Sequence, residues 1–126
     1  MFEDNTIIGQ ISKGKYPEEI VETAYGDFVL KFPSGKDLNL IARKKAVALN
    51  GLPIRSFDAG FLNYNERDCT LSVMITSYPE KFPKEFTGDN IEDFPSEEVK
   101  NALFKAFNIF YSKQAERISE QCIKKN

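Results

Sequence analysis

Between Gly26 and Phe82 the chain is punctuated so firmly that few folds can accommodate it. Phe28-Val29-Leu30-Lys31-Phe32 alternates, placing Phe28, Leu30 and Phe32 on one face as in a half-buried strand. Pro33 ends that run and Ser34-Gly35-Lys36 turns the chain. From Asp37 to Asn50 the residues Leu38, Ile41, Ala42, Lys45 and Leu49 fall on one stripe at helical spacing, the Lys45 stem lying along it with its charge in water. Ser34, three residues before Asp37, predicts a capping box. Gly51 predicts a left-handed helix end, and Pro53 a stop.

Upstream, Glu19 to Ala24 is β-prone through Ile20, Val21 and Thr23, and Tyr25-Gly26-Asp27 supplies a turn. The resulting hairpin is marginal in water alone, so it is predicted to pack on helices. Ile7, Ile8 and Ile11 fit a short strand or one helical turn, and residues 1–16 are expected to form a mobile segment. In residues 57–78, Leu71, Met74, Ile75 and Tyr78 fit a helix, preceded by Phe57, Phe61 and Tyr64 on a compatible face, with Asp58 as its cap. Cys69, Leu71, Val73 and Ile75 also alternate as a strand would, and propensity favours that for residues 69–76. Length and the absence of a turn signal before Tyr78 favour one long helix. Residues 83–95 read as an acidic, proline-containing loop. Ser96, followed by Glu97 and Glu98, opens a last helix that runs to about Cys122 with Val99, Leu103, Phe107 and Phe110 as its stripe. Lys124-Lys125 suit its negative end. The expected architecture is α+β, one domain over residues 1–126, with a short N-terminal β-hairpin packed on about three α-helices.

The chain has no histidine, which removes Ser-His-Asp and Cys-His nucleophilic sites and histidine-based metal sites. Cys69 and Cys122 match no metal or redox spacing and read as small buried or half-buried thiols. Gly26 lies nine residues before Gly35, so Gly35-Lys36 does not complete a phosphate-binding G-x-x-x-x-G-K loop. The paired acids Glu92-Asp93 and Glu97-Glu98 could serve acid–base chemistry, but beside a helix start they read as dipole partners. The expectation is a non-enzymatic protein with no cofactor and no metal. A net charge of −2 gives no electrostatic pull toward nucleic acid. The Met-Phe-Glu-Asp start lacks a signal-peptide pattern, and no apolar run is long enough to span a bilayer. No nucleic-acid or membrane partner is therefore expected.

Eleven phenylalanines either fill one core or leave apolar surface for a partner, self-association included. Tyr78, Phe82, Phe86 and Phe94 lie in a loop where helical periodicity does not position them, and loops carry binding function disproportionately. They fold back as a lid on the core, or they form a hook or groove for a partner helix. The residues expected to bind a partner are Tyr78, Phe82 and Phe86, with Arg43 and Lys44 as a charged rim.

Five of these stretches, Phe32 to Lys36, Ile41 to Arg43, Gly51 to Pro53, Thr70 to Ile75 and Tyr78 to Phe82, together resemble the tail assembly chaperones of long-tailed bacteriophages. The likeness covers about half the chain and is one of short structural motifs; the first sixteen residues have no counterpart in it. It implies a chaperone that binds the long helical tape measure protein and helps recruit tail tube subunits around it, in the host cell cytoplasm. It also implies a longer, frameshifted product encoded through A-rich codons near Lys124-Lys125-Asn126. The alternative in the same setting is a structural protein of the phage tail or baseplate, located in the virion.

Overall fold

The computed structural model describes residues 6–123. The Met-Phe-Glu-Asp start, the Lys124-Lys125 charges and the frameshift position lie outside the described residues.

The hairpin forms from β1 (Glu18–Thr23) and β2 (Gly26–Lys31), in register from Glu18↔Lys31 to Thr23↔Gly26. Ala24 and Tyr25 make the two-residue loop, so the turn falls just before the expected Tyr25-Gly26-Asp27. Thr23 closes it: its hydroxyl oxygen accepts from the Tyr25 N–H at 3.1 Å and its hydroxyl donates to the Gly26 carbonyl at 2.9 Å. Gly26 is required twice over. Its φ is +120°, and a Cβ there would sit 2.8 Å from Cβ of Pro79. Phe28 and Leu30 point inward with no exposure.

The described residues also form four α-helices: α1 (Ile7–Ser12), α2 (Gly35–Leu49), α3 (Ala59–Met74) and α4 (Glu97–Cys122). Thr6 caps α1, and the Ile7 N–H donates to Oε1 of Gln121 on α4 at 2.9 Å. Ile7–Ser12, part of the segment expected to be mobile, is thus docked through a buried Ile7. The α2 capping box is present, with Ser34 N–H to Asp37 Oδ2 at 2.9 Å and Asp37 N–H to Ser34 Oγ at 3.1 Å. Burial pushes the Asp37 carboxyl up, but the Ser34 N–H and the Lys31 ammonium at 3.0 Å together outweigh it and hold it below its ordinary range. The left-handed turn after α2 begins one residue earlier than expected, at Asn50 (φ 52°), and continues through Gly51 (φ 78°). Asp58 and Ser96 cap α3 and α4 through side-chain oxygens that accept from Phe61 and Val99.

Residues 69–76 resolve the competition between helix and strand by dividing it. Helix α3 runs to Met74, and β3 (Ile75–Ser77) then adds to β2 antiparallel, Leu30↔Ile75 and Val29↔Ser77. The result is a three-stranded sheet of order β1-β2-β3, one strand more than the expected hairpin. The β-branched pair Ile75-Thr76 suits the switch, and Thr76 Oγ1 donates to the Val29 carbonyl at 3.3 Å.

Helix α3 is central. It packs against α2, α4 and a 3-10 segment, Gly88–Asp93, in the acidic loop. Phe28, Leu30, Leu71, Met74, Ile91 and Leu103 form the fully buried centre. The stripe expected on α2 is corrected. Ile41 alone of it is buried, while Leu38 is 47% exposed and Ala42 is exposed. A peripheral helix with one neighbour buries only the residues that face it.

Candidate functional site: a groove between two helices

The residues expected at the site separate into two places. The loop after β3 folds back as a lid. Phe82 is 3% exposed, with its ring 4.7 Å from Phe94 and 5.1 Å from Phe28 between centroids. Tyr78 stacks on Phe82 at 5.4 Å, and its hydroxyl oxygen accepts from the Gly88 N–H at 2.9 Å. Phe86 meets the Phe94 edge at 5.4 Å and is half-buried. Phe82 is therefore core, and Tyr78 and Phe86 support it; none of the three projects as a hook. The reason is the neighbouring hairpin, since Phe28 on β2 and Tyr25 in its turn meet the Phe82 ring edge-to-face and would be left wet by an exposed loop.

Arg43 and Lys44 instead line a groove of about 610 Å³. Helix α2 gives it one wall through Leu40, Val47 and Ala48, with Arg43 and Lys44 among them. Helix α3 gives the floor through Phe61, Tyr64, Asn65, Asp68, Cys69 and Ser72. Asp89 and Glu92 form the opposite wall. Spacing explains each contribution: Leu40, Lys44 and Val47 recur on one face of α2, as do Phe61, Tyr64/Asn65 and Asp68 on α3. Val47 is 78% exposed and Tyr64 54%. Asn65 Nδ2 donates to the Lys45 carbonyl at 3.2 Å, holding the two helices together beneath the groove. Burial pushes the Cys69 thiol up, which keeps it in the neutral, unreactive form. Cys122 is exposed, against the expectation of a buried or half-buried thiol. Sequence reasoning missed the groove as a unit, although the Leu40–Val47 spacing carried the signal.

An ionic network braces the far wall. Arg67, 3% exposed, donates to Asp68 at 2.8 Å, to Glu97 at 2.9 Å and to Asn101 at 3.0 Å. Burial disfavours its charge, but the Asp68 and Glu97 hydrogen bonds more than offset that and raise its pKa. Its guanidinium also lies 5.0 Å from the Tyr64 ring centroid, which fixes that ring at the groove floor. Lys100, 2% exposed, reaches Glu97 at 3.0 Å and donates to the Glu92 carbonyl at 3.1 Å. Every fully buried side-chain polar atom among the described residues has a partner. Hydrogen bonds from Arg67, then Lys100, hold the Glu97 carboxyl below its ordinary 4.5. A lowered folded pKa gives stability that is full above the unfolded value and lost as pH falls through the folded one. Stability is thus expected to fall with acidification below pH 4.5, and Glu97→Gln to flatten that acid limb in urea midpoints measured against pH. An equally steep limb in the variant would remove Glu97 from the acid response.

Among the described residues, no group of three acidic or cysteine side chains is placed to hold a metal ion, and no helix is long and apolar enough to cross a membrane. No protein family, curated protein or solved structure matches the chain.

Proposed function

We infer that this chain is a non-enzymatic assembly chaperone that captures an amphipathic helix in the groove between α2 and α3. The observation that carries the reading is an apolar trough between two helices, with Val47 78% and Leu40 39% exposed on its wall. Each parent helix is about 22–24 Å long at 1.5 Å per residue, room for a helix of roughly four turns. Such a trough accepts a helix by its i, i+3, i+4 anchors and so completes the packing that α2 lacks. The resemblance to phage tail assembly chaperones names the partner: the tape measure protein, with tail tube subunits recruited afterwards in the host cell cytoplasm.

Co-expression tests this. The chain is expected to keep a tape measure protein soluble and to be missing from purified particles. Stoichiometric amounts of it in mature virions would instead make it a structural protein of the tail or baseplate.

A further inference from the structure

The charges around the groove specify the helix it takes. Lys45 is committed to Glu66, Arg67 to Asp68 and Glu97, and Lys100 to Glu97 and the Glu92 carbonyl. Arg43 has no ion-pair partner among the described residues, although it stands on the α2 wall. Lys44, beside it, pairs among the described residues only with Asp89, which reaches across from the opposite wall. Apart from this pair, the segment around Asp89 packs on α3 rather than on α2. Asp89 is 78% exposed as a side chain, whereas Lys44 is 25% exposed. The cation is held in the wall, and its carboxylate partner is the loosely held member.

We propose that the groove takes an α-helix of another protein bearing carboxylates along the flank that faces α2, and that Asp89 occupies the carboxylate position on Lys44 until that helix arrives. This rests on the helix-capture reading. A helix laid apolar face down points one flank at α2, where Arg43 and Lys44 stand about one turn from Val47. A carboxylate there meets an unpaired guanidinium and exchanges with Asp89 on Lys44, so that Asp89 returns to water at little cost. A lysine-bearing flank would meet two cations on α2, while the anions of the groove lie away from that wall: Asp68 on the floor, paired with Arg67, and Asp89 and Glu92 on the other wall. The occupant is therefore chosen by charge as well as by shape.

The test uses the full chain and three synthetic peptides of about 16 residues, matched to the length of the trough. They share one leucine stripe, carry Glu, Gln or Lys on one flank only, and have Gln on the other. Binding is read by fluorescence anisotropy at low and high salt. The expected order of affinity is Glu, then Gln, then Lys, with the differences shrinking as salt rises. Asp89→Asn should tighten the Glu peptide about two- to fivefold, the range of an exposed ion pair, and leave the Gln peptide unchanged. Arg43→Gln with Lys44→Gln should erase the difference between Glu and Gln peptides. Equal binding of all three peptides overturns the charge selection while helix capture stands, and an Asp89→Asn variant that binds the Glu peptide no better overturns the exchange of Asp89 on Lys44. Failure of every peptide to bind overturns helix capture and the selection with it.

Discussion

Phe82→Ala is expected to cost about 3–5 kcal/mol of stability, the range for deleting a buried aromatic ring. Phe82 is 3% exposed and meets four rings, those of Tyr25, Phe28, Tyr78 and Phe94, at centroid distances of 4.7 to 5.6 Å. With Ile91 and Phe94 it carries the chain between β3 and α4 into the core, so its loss opens a cavity and loosens that segment together. The Phe82 N–H donates to the Pro79 carbonyl at 3.0 Å, and Pro79 lies against Gly26, so the backbone has little room to collapse into the space. Urea unfolding checks this. A loss below about 0.5 kcal/mol, the scale of an ordinary surface substitution, would return Phe82 to the role of an exposed hook.

Lys100→Ala is expected to cost about 3 kcal/mol, the low end for breaking a buried ion pair. The low end applies because Glu97 is half exposed and keeps Arg67 as a second partner. Lys100→Met retains the packed stem and removes only the charge, so it should cost less, about 2 kcal/mol, from the Glu92 carbonyl and acids left short of a donor. The loss should be felt in the groove as well, since Lys100 ties Gly88–Asp93 to α4 and that segment carries Asp89 and Glu92. Faster amide exchange in residues 88–93 of the Met variant would register it. No loss in either variant would mean that desolvation of Lys100 cancels its pairing.

Local chemistry was legible where it depends on near neighbours. Ser34, Asp58 and Ser96 were read as caps and all three accept the backbone N–H three residues on. The switch from α3 to β3 at Ile75 was not, because two or three residues become a strand only when β2 lies beside them. The aromatic loop carries no periodicity, so its direction is set by the rings of the sheet beneath it. Helix α2 was read with one apolar stripe, through Ile41, whereas Leu40 and Val47 form a second that lines the groove. Which stripe is buried depends on where α3 lies, and sequence spacing weighs both alike. Arg43 and Lys44 were read as a charged rim and do line a groove, but the aromatic side of that site is Phe61 and Tyr64 rather than Tyr78, Phe82 and Phe86. The burial of Lys100, one turn before Leu103, follows from Glu92 and Asp68, which are brought in from other elements and leave no mark in the spacing of α4.

Capture of a helix by the groove between α2 and α3 is tested most directly by the soluble yield of a co-expressed tape measure protein with the chain carrying Val47→Glu. Val47 is 78% exposed, so the variant should keep its urea midpoint while placing a buried charge under any helix in the groove. The expected result is that the tape measure protein returns to the insoluble fraction. An undiminished soluble yield with the folded variant would contradict capture at this groove.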